Sequence, residues 1–163
     1  EINRNSSTPF IRNFKENYIN GDIPLYALVE ILSFGLLSKF YKNMHSIDKK
    51  EIALRYGVGY AYLESWIESL SYVRNVCAHY GRLYNINFTK KPRLYRDDIA
   101  IGLSNDRMMG TLLCLKRLLP DDDRWSEFLA ELNQLLSKYP HVRIDKMGFP
   151  GNWKEILGTS YTN

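Results

Sequence analysis

Apolar residues recur at three- and four-residue steps along most of this chain, and that period commits it to helices. Leu25, Leu28, Val29, Leu32, Leu36 and Phe40 form one stripe, and Leu63, Trp66, Ile67, Leu70, Val73 and Cys77 a second. Met108, Met109, Leu112, Leu115 and Leu119 make a third; Trp125, Phe128, Leu129, Leu132, Leu135 and Leu136 make a fourth. No run alternates with the period of two that a half-buried strand needs. Punctuation agrees with period. Asp22 and Pro24 open the first segment, and Asp48 caps a short helix over 49–56 that ends at Gly57-Val58-Gly59. A long helix is expected over 60–80, with Gly81 as its stop. Ser104 caps the third stripe, which halts at Pro120, and Asp121-Asp122-Asp123 caps the fourth and complements its dipole. A short helical turn over 153–157 closes the chain. These elements predict an all-α architecture, an antiparallel bundle of four to five helices in one domain over 1–163.

Composition narrows the class. With 163 residues, 45% of them hydrophobic, the chain has enough apolar surface to close a core. Two cysteines, Cys77 and Cys114, are too few for a disulfide scaffold or a cysteine zinc site, and both fall in apolar helical segments. A reducing, cytoplasmic setting fits them. No apolar run approaches the roughly 18 residues of a membrane span, and no signal-peptide pattern opens the chain. The first residue is Glu1, not Met, which predicts an excerpt of a longer protein. The aspartate run belongs to a helix start, because metal carboxylates converge from separate elements. No metal and no cofactor is expected.

The charge is unevenly distributed. Net charge is 22 − 18 = +4, yet Arg74, Arg82, Lys90, Lys91, Arg93 and Arg96 all fall between Glu68 and Asp97, where no acidic residue occurs. The rest of the chain carries 16 basic and 18 acidic residues, so the whole positive excess sits in this one segment. Tyr72, Tyr80, Tyr84, Phe88 and Tyr95 are interleaved with the cations. Cations neutralise phosphates and rings stack on unpaired bases, a composition that suits single-stranded nucleic acid. It equally suits a solvated loop whose tyrosines pack at the domain edge. Residues 83–98 also form a long connection without helical period, a length that often carries function.

The end of the long helix collects the polar chemistry. On a helical wheel Glu68, Tyr72, Asn75, His79 and Arg82 share one stripe, and Asn75 lies one turn from His79. Arg74 has no acidic residue three or four positions away, so it either pairs with another helix or awaits an anion. His79 falls in the last turn, where the negative end of the dipole favours the imidazolium.

Arg74-Asn75-Val76-Cys77-Ala78-His79 resembles the R-x4-6-H motif of HEPN domains in its arginine–asparagine form. Around it, Phe10-Ile11-Arg12, Pro24-Leu25-Tyr26, Glu30-Ile31-Leu32-Ser33-Phe34-Gly35, Ser69-Leu70-Ser71-Tyr72-Val73 and Met147-Gly148-Phe149-Pro150 resemble the Abi-like abortive-infection family of the AbiD/AbiF type. The resemblance runs from about Phe10 to Leu157 and implies a HEPN-like bundle in a bacterial phage-defence protein. Family members carry a further N-terminal region. The resemblance also implies a metal-independent endoribonuclease built as a homodimer, with Arg74, Asn75 and His79 as catalytic residues and the RNA 2′-OH as nucleophile. Tyr80, Arg82, Tyr84, Lys90, Lys91 and Arg93 are the candidate RNA-binding residues. An antitoxin or small regulatory RNA is a further expected partner. The competing expectation is a non-catalytic RNA- or protein-binding module of the same fold. On an ideal helix Arg74 and His79 stand about 140° apart, so one helix cannot clamp a single phosphate with both. Two facing helices can.

Overall fold

A computed structural model describes residues 2–18, 20, 22–119 and 123–159, and every described element is helical or irregular. The all-α expectation holds, but the helices are shorter and more numerous than the period suggested: nine α-helices among the described residues in place of four or five. Packing divides the chain into two compact units, residues 1–43 and 44–163.

The first unit holds α1 (Pro9–Asn17), α2 (Leu25–Ile31) and α3 (Phe34–Asn43). Ile11 and Phe14 are the buried face of α1, and the Phe14 ring meets Tyr18 at 4.9 Å and Tyr26 at 6.2 Å. The single helix expected from Leu25 to Phe40 is two. Leu32 turns extended at φ −73°, ψ 135°, and the Ser33 hydroxyl accepts the Leu36 N–H at 3.3 Å. A serine that offers the backbone a local acceptor starts a new helix rather than continuing an old one, which an apolar stripe alone cannot reveal.

The second unit is built on α4 (Ser46–Leu54), α5 (Tyr60–Ala78), α6 (Arg96–Ala100), α7 (Met108–Leu118), α8 (Asp123–Lys138) and α9 (Trp153–Gly158), with a short 3-10 turn at Ile144–Met147. Helix α5 packs on α4 and α7, and α9 packs on α7 and α8. Asp48 lies inside the first turn of α4 instead of capping it. Ser104 hydrogen-bonds Asp106 at 2.6 Å, and α7 starts only at Met108. Asp123 opens α8 as the dipole argument required, while Asp121 and Asp122 lie outside the described residues. The core gathers around Trp66, Met109, Leu113, Trp125, Trp153 and Leu157. Two of its three indoles spend their N–H on backbone carbonyls, Trp66 on Arg93 at 2.6 Å and Trp125 on Leu157 at 2.8 Å, so neither of these leaves a buried donor unmet.

A buried ion pair lies within this core. Arg117 of α7 grips Asp98 of α6 with two hydrogen bonds of 2.6 and 2.7 Å, and both side chains are less than a tenth exposed. The Asp98 carboxylate also accepts the Tyr95 N–H at 3.0 Å, and the guanidinium lies 4.7 Å from the Tyr95 ring. Tyr95 in turn packs against Tyr62 and Trp66 of α5. Removing one member of such a pair leaves a buried charge without its counter-ion. Asp98→Ala is expected to lose about 3–5 kcal/mol of unfolding free energy in urea titration. The double change Asp98→Leu with Arg117→Met is expected to recover much of that loss, because neither charge then remains.

Candidate nucleic-acid interface at the end of α5

Helix α5 begins after Gly59 and runs nineteen residues to Ala78, two short of the expected end. Its inward residues are Leu63, Trp66, Ser69 and Ser71, with the Ser69 hydroxyl 3.3 Å from that of Thr111 on α7. Cys77 was expected on the buried stripe and is exposed instead. Arg74, Asn75, Ala78 and His79 are exposed with it. Along the last turn and a half of α5 only Val73 and Val76 stay half-buried, so its apolar period no longer meets a closed core.

The exit from α5 is a full Schellman turn. His79 is the C-cap, the Tyr80 N–H reaches the Cys77 carbonyl at 3.1 Å, and the Gly81 N–H reaches the Val76 carbonyl at 2.7 Å. The left-handed position of that turn belongs to Tyr80, at φ +54°, and not to the glycine. Gly81 serves a different need: a β-carbon there would lie 2.7 Å from Val76 Cγ1 and 3.0 Å from the Val76 carbonyl oxygen.

The connection over 83–95 then runs back along α5. Phe88 is buried against Tyr72 with ring centres 5.8 Å apart, Lys90 bridges Glu68 at 2.7 Å, and the Arg93 N–H donates to the Ser65 hydroxyl at 3.0 Å. From the other side, the Phe88 N–H meets the Asp106 carbonyl at 2.8 Å, and Arg107 donates to the carbonyls of Ile86 and Lys146. This segment is a strap, helix-free yet anchored at nearly every step. It covers the Ser65–Glu68–Tyr72 stretch of the polar stripe and leaves the Asn75–His79 stretch bare.

The strap divides the candidate residues into two groups. Lys90 is held by Glu68, and Lys91 lies 3.6 Å from Asp106, whose carboxyl is held below its ordinary range by the Ser104 hydroxyl first and by Lys91 and Arg107 after it. Tyr72, Phe88 and Tyr95 are drawn into packing, so of the five interleaved aromatics only Tyr80 and Tyr84 face solvent. At the helix end the pairing differs. Arg74 donates to the Asn75 side-chain oxygen at 3.2 Å, and among the described residues no carboxylate lies within ion-pair distance of it. Asn75 therefore steadies Arg74 in this state, not His79, and the His79 imidazole makes no hydrogen bond to a described residue. Arg82 is exposed and likewise meets no carboxylate among the described residues, whereas Arg93, its N–H held by Ser65, is exposed well back along α5. The helix end thus carries cations, an imidazole and a ring, all open to solvent.

The close approach of Gly81 to Val76 can be checked by substitution. Gly81→Ala forces Val76 aside at the turn and is expected to cost about 1–2 kcal/mol of stability in thermal or urea unfolding. Val76→Ala, made together with it, opens that space and is expected to return part of the loss.

No curated protein and no solved structure matches the chain. The profile of the family described as Abi-like protein matches residues 1–85. That is more than half of the chain, and it takes in all of α5, the Schellman turn and residues Arg74, Asn75, His79, Tyr80, Arg82 and Tyr84. Lys90, Lys91 and Arg93 lie beyond it. The chain belongs to the Abi-like protein family.

Proposed function

We propose that this protein is an abortive-infection factor that cuts RNA without a metal ion, as a HEPN-type endoribonuclease of the bacterial cytoplasm. Membership of the Abi-like family supports the defence role. The observation that carries the chemistry is the bare end of α5: Arg74, Asn75 and His79 are all exposed, and Arg74 has no carboxylate beside it. RNA brings its own nucleophile. A base, His79, takes the proton of the 2′-OH, and the freed oxygen forms a bond to the adjacent phosphorus. The bond from phosphorus to the 5′-oxygen breaks, and an acid returns a proton to that oxygen. Arg74 neutralises the charge that grows on the phosphate oxygens, with Asn75 fixing the guanidinium. The products are a 2′,3′-cyclic phosphate and a 5′-hydroxyl. Because an ideal helix sets Arg74 and His79 about 140° apart, the reading calls for two protomers whose α5 ends face one groove. Arg82 and Tyr84 extend that groove, with Lys90, Lys91 and Arg93 further back along α5. An antitoxin or a small regulatory RNA would hold the site silent until infection.

A second reading is favoured by one observation: no side chain among the described residues orients the His79 imidazole. A module that binds RNA or protein without cutting needs no such orientation.

Incubation with total RNA in EDTA separates the two. Discrete cuts ending in cyclic phosphate, lost in His79→Ala and reduced at least about a hundredfold in Arg74→Ala, are the expected outcome. Binding that weakens with salt, with no cut by either protein, would favour the module. Gel filtration is expected to give a dimer at assay concentration, and a monomer that still cuts would sink the shared site.

A further inference from the structure

Tyr80 is held in a conformation that nothing inside the protein requires of a tyrosine. At φ +54° its β-carbon crowds the following carbonyl oxygen, and glycine or asparagine is the usual residue at this step of a Schellman turn. The glycine one residue later does not relieve it, since Gly81 is needed where the chain crosses Val76. The ring gives nothing back through burial: Tyr80 is 99% exposed. Tyr84, in the same connection, differs. It is 38% exposed, so much of its ring is covered within the fold. Backbone strain on an exposed aromatic points to a ligand outside the chain.

The surroundings of the ring identify its chemistry. Arg74 and Arg82 flank the turn, both exposed and neither beside a carboxylate, and no acidic residue occurs from 69 to 96. Such a face attracts a polyanion. A flat ring among open guanidinium groups matches one nucleotide, whose phosphate meets the cation while its base covers the ring. A base inside a duplex already has both faces stacked and cannot do this.

We propose that Tyr80 selects single-stranded RNA, stacking on the unpaired base next to the phosphate addressed by His79 and Arg74; only the role of that phosphate rests on the nuclease reading. Tyr80 is then the specificity residue of the site and takes no part in proton transfer.

The test uses the full chain carrying His79→Ala, so that RNA stays intact, and a labelled short oligoribonucleotide, alone or annealed to its complement. Adding Tyr80→Gly is expected to weaken single-strand binding about tenfold while leaving duplex binding unchanged. The same variant should melt no lower than its parent, because glycine is relaxed at this φ. Tyr80→Phe should bind within about twofold of its parent, since the ring face is what stacks. Unchanged single-strand affinity in Tyr80→Gly overturns the proposal, as does an equal loss on duplex, or a phenylalanine variant as weak as the glycine one. A change of elution volume in Tyr80→Gly at constant affinity also overturns it and makes Tyr80 an interface residue. Cutting by the unmodified protein is read separately. Binding that depends on Tyr80 without any cutting removes the nuclease and keeps the stacking residue. Cutting with binding that ignores Tyr80 does the reverse.

Discussion

The grip of Arg117 on Asp98 is the contact on which the working surface depends. Two short hydrogen bonds in a nearly dry position tie α6 to α7, and the same carboxylate holds the backbone of Tyr95. Tyr95 is where the strap ends. Fixing it against Tyr62 and Trp66 fixes the direction from which the strap returns along α5, and so decides how much of the helix it covers. Buried ion pairs contribute little net stability compared with apolar residues of the same volume, but they penalise every arrangement that separates the charges. Here the penalised arrangements are those in which the strap slides toward the helix end.

The strap gives the basic segment two different electrostatic characters. Lys90 and Lys91 sit beside Glu68 and Asp106, so their fields are largely cancelled near the surface. Arg74 and Arg82 have no such neighbours among the described residues. The segment that looks uniformly basic as a string of letters is, in three dimensions, a neutralised band leading to an open cationic tip. Folding also divides the aromatics: Phe88 and Tyr95 serve the core, while Tyr80 stands clear of it.

The helices were legible because their apolar residues are local and periodic; α5, α7, α8 and α9 lie within a few residues of where the spacing put them. The bare end of α5 was half legible. The arginine, asparagine and histidine could be read off as a group, and Gly81 marked the exit, but the left-handed residue proved to be Tyr80. The misses share a physical cause. Lys90 meets Glu68 across 22 residues and Arg117 meets Asp98 across 19, distances over which no spacing rule operates. A usable signal for the second pair did exist: Lys116 and Arg117 interrupt an otherwise apolar run from Leu112 to Leu119, and a cation buried there must find a partner. The break at Ser33 and the exposure of Cys77 were missed for the opposite reason. The apolar stripe runs on past Ser33 and includes Cys77, and only a local hydrogen bond at the one and the exposure of the last turn at the other show the difference.

The chain has three tryptophans, Trp66, Trp125 and Trp153, and all three lie buried in the unit formed by residues 44–163. The unit formed by residues 1–43 has none. Indole fluorescence therefore watches one part of this protein and is blind to the other, whereas backbone ellipticity reports helices in both. Coincident unfolding curves from the two probes would mark a single cooperative block; separated curves would mean that residues 1–43 melt on their own schedule while the indoles remain enclosed.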